Sequence, residues 1–171
     1  MRAKKYILII LAIVLFIYFI IIQLWGYPLV FDFSNKIDFS EMKLQKGDVV
    51  KPFEKFDFDK GSWVAYLLLN NSEINLSSEM PKGKCFKTTD IKVLKQMQNE
   101  WIFSYSGGDV ATIESSIILY NNGKKVFESG IAIDENLQGL QSHQFGWLKG
   151  LNLIKNCKLF EKVNFPILVL K

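Results

Sequence analysis

Glu54, Asp57 and Asp59 interleave with Phe53, Phe56 and Phe58 just before Gly61. Carboxylates beside apolar surface are the groups that cleave glycosides, one held protonated as acid and the other kept ionised. The same pattern also describes the solvated edge of an aromatic-rich segment, and that plainer reading is preferred. Asp134 to Phe145 (DENLQGLQSHQF) puts Asp134, Asn136 and Gln138 at positions 1, 3 and 5 of a calcium loop, with Gly139 at position 6. Position 12 is Phe145, so the bidentate glutamate is missing and no metal site is assigned. His143 is the only histidine, and Ser142 adjoins it. A catalytic triad needs side chains that converge in space, and no G-x-S-x-G elbow accompanies them. No catalytic residue and no cofactor is assigned.

Two other groups remain. Phe145 and Trp147 flank Gly146 in a polar stretch beside His143, and exposed loop aromatics commonly anchor protein contacts. His143, Phe145 and Trp147 are therefore the candidate partner-binding loop, with burial of Trp147 in the core as the competing reading. Cys85 and Cys157 are the only cysteines. An even pair in an oxidising compartment reads as a disulfide, worth roughly 4 kcal/mol in the chain-entropy account.

That compartment follows from the stretch Tyr6 to Trp25, in which Gln23 is the one strongly polar residue. At 1.5 Å per residue, twenty such residues are about 30 Å long, the thickness of a bilayer's hydrocarbon core. Arg2, Lys4 and Lys5 precede it, and Trp25 and Tyr27 follow. Short cytoplasmic flanks carry excess Lys and Arg, and aromatic rings settle at the headgroups, so the N-terminus is expected inside and the rest outside the cytoplasmic (inner) membrane. A cleaved signal peptide has a shorter apolar core and small residues at its cleavage site, which Leu24 and Gly26 match poorly. The expected organisation is a basic flank over 1–5, a transmembrane anchor over 6–25, a juxtamembrane segment over 26–35 and one extracytoplasmic domain over 36–171.

The net charge of +4 falls to +1 once Arg2, Lys4 and Lys5 are set aside (4 − 3). Arg2 is the only arginine, so the exported part has no guanidinium for bidentate capture of phosphate or carboxylate. Nucleic acid is not an expected partner.

Along the chain, Pro28 to Phe33 reads as extended, and Ile37 to Leu44 as a strand with a bulge near Ser40 or Glu41. Trp63 to Leu69 is apolar on both faces and reads as a central buried strand. Asn70 to Lys87 reads as a long loop with a short extended piece at Ile74 to Leu76. Thr89 to Asn99 is the one clear helix, with Ile91, Leu94 and Met97 on its apolar face. Trp101, Phe103 and Tyr105 mark a strand with one aromatic face. Thr112 to Tyr120 and Lys125 to Ile133 flank Asn122-Gly123, the sequence of a type I′ hairpin, with Leu119 expected opposite Val126 and Ile118 opposite Phe127. Asp134 to Gly150 reads as loop-rich, Leu151 to Ile154 as helix or strand, and Pro166 to Leu170 as a closing strand. The expected fold class is α+β: a transmembrane helix, then an antiparallel sheet of about six strands with one principal helix packed on it.

The functional expectation is a membrane-anchored binding module that captures or inhibits another envelope or exported protein, as an immunity or inhibitor protein or an accessory subunit would. The lipid bilayer would be its second partner, through residues 6–25. The alternative is a membrane-tethered hydrolase using carboxylates.

Overall fold

The computed structural model describes residues 2–24, 29–31, 43–70, 80–108, 113–134, 137–143, 145–164 and 168–170. The strand and bulge expected between Ile37 and Leu44, and the extended piece at Ile74 to Leu76, lie largely or wholly outside them. The protein is α+β: an apolar N-terminal helix, a nine-stranded antiparallel sheet, a separate strand pair and two short helices.

Helix α1 (Arg2–Leu24) is long and apolar enough to cross a membrane, with a mean hydropathy of 3.2 over its apolar span. Its side chains from Lys4 to Tyr18 are exposed, whereas Phe19, Ile20 and Ile22 are half-buried and Gln23 is buried. Strand β1 (Leu29–Phe31) follows and pairs in parallel with β11 (Leu168–Leu170). The closing strand therefore returns to the segment just beyond the helix rather than joining the main sheet.

The main sheet contains β2 (Val49–Val50), β3 (Trp63–Leu68), β4 (Cys85–Thr88), β5 (Phe103–Gly107), β6 (Ser116–Asn121), β7 (Lys124–Ile133), β8 (Gln138–Ser142), β9 (Gly146–Lys149) and β10 (Glu161–Lys162). Their spatial order is β10-β4-β3-β6-β7-β8-β9-β5-β2. Five of these, β2, β4, β8, β9 and β10, were not expected. Cys85–Thr88 is a strand rather than loop, and the supposedly loop-rich stretch after Asp134 is the β8–β9 hairpin. β3 fulfils the expectation of an interior strand: Trp63, Ala65 and Leu67 enter the main core, while Val64, Tyr66 and Leu68 pack on the other face.

Helix α2 (Ile91–Glu100) is capped by Asp90, whose Oδ1 accepts from Lys92 N at 2.8 Å. It joins β4, second from one edge, to β5, second from the other. Leu94 and Met97 are fully buried, but Ile91 stays 42% exposed, so the expected three-residue apolar face is two residues wide. A second helix, α3 (Leu153–Cys157), adds Leu153, Ile154 and Cys157 to the same core. One apolar cluster runs from Phe86 of β4 through Ile117, Ile131, Leu140 and Leu148 to Val50 of β2. That one cluster thus holds residues from β4 and β2, near opposite ends of the strand order, together with Leu94, Met97 and Leu153 of the two helices.

Asn122 (φ 50°) and Gly123 (φ 75°) both adopt positive φ, as a type I′ turn requires. Asn121 faces Lys124 and Tyr120 faces Lys125, but the register then shifts, and Leu119 pairs with Phe127 and Ile118 with Glu128. The expected pairs Leu119–Val126 and Ile118–Phe127 are thus displaced by a bulge at Val126. The bulge puts Leu119 and Phe127 together in the main core, and Glu128 opposite Ile118 on the other face.

Candidate functional site

Phe53 and Phe58 are buried, and their rings lock into an aromatic group with Phe56, Trp63, Trp101 and Phe127. The turns carrying Glu54, Asp57 and Asp59 lie over that group. Trp63 Nε1 donates to Lys60 O at 2.7 Å and to Asp57 O at 3.2 Å, and Gln98 Nε2 donates to Phe53 O and Phe56 O. The aromatics form core, and the backbone around the carboxylates is tied to a strand and a helix.

The carboxylates themselves do not converge on one point. Asp57 Oδ2 meets Lys60 Nζ at 2.9 Å, whereas Asp59 accepts from Lys95 Nζ of α2 at 2.7 Å. The Lys60 ammonium, and then the Asp59 N–H, hold the Asp57 carboxyl below the usual range. A general acid needs the opposite shift, from desolvation or a neighbouring negative charge.

The loop expected to present His143, Phe145 and Trp147 presents only the histidine. His143 is exposed in the β8–β9 turn, but Phe145 (5% exposed) joins the main core and Trp147 (2%) is buried on the outer face of the sheet. The short hairpin puts both aromatics where they pack on neighbouring strands. Gly139 is part of strand β8, not position 6 of a calcium loop. Among the described residues no group of three or more His, Cys, Asp or Glu side chains could hold a metal ion.

Cys85 and Cys157 are separate free thiols, which corrects the expected disulfide. Strand alternation explains their separation. Phe86 and Cys157 share the main core, so Cys85 points to the other face, where it packs with Tyr66, Leu68 and Val163. Burial pushes the Cys85 thiol up to about 11 and that of Cys157 up to about 12.

Two features were missed in the sequence. The first is a polar node between α2 and α3, in which Glu100 accepts from Asn156 Nδ2 at 3.0 Å, Gln96 Nε2 at 3.1 Å and Lys155 Nζ at 3.3 Å. Those bonds, Asn156's foremost, hold the Glu100 carboxyl below its ordinary range. No sequence signal links residues some fifty-five apart in this way. The second is a set of aliphatic side chains facing solvent at the β2 end of the sheet: Val49, Ile102 and Leu151. The alternation of Ile102 with Trp101 and Phe103 was a usable signal for that one residue.

Comparison with protein-family models, with curated proteins and with solved structures returned no match.

Proposed function

We propose that the protein is a membrane-anchored extracytoplasmic binding module that captures or blocks another envelope or exported protein. In this reading α1 spans the cytoplasmic membrane with Arg2, Lys4 and Lys5 inside, and the sheet stands outside as a rigid platform. The two short helices act as packing for the sheet, and its loops meet the partner. The observation that carries the reading over the hydrolase alternative is the pairing of Asp57 with Lys60 and of Asp59 with Lys95. Both carboxylates are paired with neighbouring ammonium groups on an exposed turn and do not face each other across a cleft.

The test uses the full chain in its native membrane. Alkaline phosphatase fused after Lys171 should be active, and an inactive fusion would reverse the orientation. Photo-crosslinking from positions across the sheet and loops should trap one discrete protein. Combined Glu54→Gln, Asp57→Asn and Asp59→Asn should leave that adduct intact. A hydrolytic activity abolished by the three substitutions, with no adduct formed, would replace this reading with the enzymatic one.

A further inference from the structure

Val49, Ile102 and Leu151 are 69%, 46% and 71% exposed, and the strand registers place them together. Val49 pairs with Ser104, and Ser104 with Lys149. Lys51, Ile102 and Leu151 lie just past the paired ends, and continuing both registers would set Ile102 between the other two. Val49, Ser104 and Lys149 share the outer sheet face, because directly paired residues lie on one side, and Ile102 and Leu151 follow the same alternation two residues on. Asn152, at φ 64°, turns the chain into α3 and leaves Leu151 outside the core. The result is an aliphatic trio bordered by the exposed Lys51 and Lys149, with Lys46 in the preceding turn. Two carboxylates close in sequence to Val49 and Ile102 are engaged elsewhere, and Glu54 lies in the turn after Lys51. Asp48 Oδ2 accepts from Gln45 N at 2.8 Å within its own turn, and Glu100 is held by Asn156, Gln96 and Lys155.

We propose that this patch docks on the anionic headgroup layer of the membrane that α1 spans, so that the module lies on the bilayer rather than swinging from its anchor. The inference rests on α1 being inserted. Three observations choose lipid over protein. Strand β1 begins five residues past Leu24, a reach of about 17 Å, which keeps the domain near the surface. Gln23 is buried and Phe19, Ile20 and Ile22 are half-buried, so the chain already covers the outer end of the helix. Finally, the patch is aliphatic and lysine-edged, the chemistry of interfacial binding. Protein hot spots favour Trp, Tyr and Arg. The patch itself holds no aromatic side chain and no arginine. Addition of a partner strand at β2 is disfavoured, because that strand is two residues long and runs straight into a turn.

The experiment places a thiol-linked fluorophore on the full-length protein in vesicles of zwitterionic lipid with or without phosphatidylglycerol, and measures quenching by brominated acyl chains. Labels enter through Val49→Cys, Leu151→Cys, His143→Cys or Leu11→Cys, and the unsubstituted chain controls for labelling of the buried native thiols. Quenching at 49 and 151 but not at 143, at the opposite end of β9, is the expected result. It should require phosphatidylglycerol, and Lys51→Gln with Lys149→Gln should weaken it by about five-fold per lysine. Quenching at 11 with none at 49 and 151 overturns the docking and leaves the anchor standing. No quenching at 11 overturns the anchor itself, and the docking with it. Shielding of 49 and 151 by a second copy, seen as crosslinks between chains without quenching, also overturns the proposal.

Discussion

The indole of Trp147 lies against the backbone of Gly139 on the neighbouring strand, so closely that a Cβ at 139 would come within 2.6 Å of its Cζ2. It would also run into the carbonyl oxygen of Leu148. This contact explains why a glycine sits inside a strand that otherwise reads as loop. Both obstacles are fixed, one being backbone and the other a buried ring, so neither can yield cheaply. Gly139→Ala should therefore destabilise the protein by about 1–3 kcal/mol, the usual cost of overpacking. Gly108→Ala, where nothing lies within 4 Å, is the control and should stay within about 0.5 kcal/mol. Chemical denaturation of both variants checks the contrast.

The β6–β7 hairpin tip gives a backbone counterpart. A Cβ on Gly123 meets nothing within 4 Å, so any cost of Gly123→Val is conformational. A β-branched residue at φ 75° should cost on the order of 1–3 kcal/mol. Gly123→Asn should recover most of that loss, since asparagine tolerates positive φ. The tip is also tied to the rest of the fold: Asn122 N donates to Ser62 O, and Ser62 N donates to Asn122 Oδ1, each at 2.8 Å. Equal melting temperatures for the Val and Asn variants would contradict the turn type.

Helix α2 separates exposure from pattern. Ile91, Leu94 and Met97 share the spacing of one helical face, but only Leu94 and Met97 reach the core. Leu94→Ala should cost about 2–5 kcal/mol, as deletion of a fully buried leucine does. Ile91→Ala should change stability by about 0.5 kcal/mol or less. Comparable losses at the two positions would mean the first turn of the helix is buried.

Local patterns in the sequence were readable where one residue type forces one geometry. Asn122-Gly123, the two-faced β3 and the α2 stripe all belong to that kind, and all were placed within a few residues. Strands β4, β8 and β9 were not legible, because Lys87, Gln141 and Gly139 break the apolar alternation for reasons that lie on neighbouring strands. The bulge at Val126 was equally hidden, since it is fixed by the match between Leu119 and Phe127 across the core. The candidate site fared similarly. The Phe53–Phe58 stretch reads in sequence as the solvated edge of an aromatic-rich segment, and the structure adds that Phe53 and Phe58 are core, whereas the patch of Val49, Ile102 and Leu151 is assembled from three distant pieces of chain.

The two thiols make the last prediction. Cys85 and Cys157 lie on opposite sides of the sheet and are buried, with thiols pushed up to about 11 and about 12. The thiolate is the reactive form, so neither should react with iodoacetamide at neutral pH in the folded protein, and both should react after unfolding. The same shifts couple to stability. Below the unfolded thiol pKa, near 9, both states are protonated and pH has no effect through these groups. Above it the unfolded chain loses its thiol protons while the folded chain keeps them, so ionisation favours unfolding. Stability should then fall with rising pH from about 9, by roughly 1.4 kcal/mol per pH unit for each thiol, until the folded values are reached. Cys157→Ala removes one titrating thiol and should flatten the slope by roughly 1.4 kcal/mol per pH unit, at the cost of a lower starting stability. Urea denaturation between pH 8 and 11 measures both slopes. A slope unchanged by Cys157→Ala would show that the thiol is not buried against the core, and a native mass two hydrogens light would show a bridge that this sheet has no geometry to make.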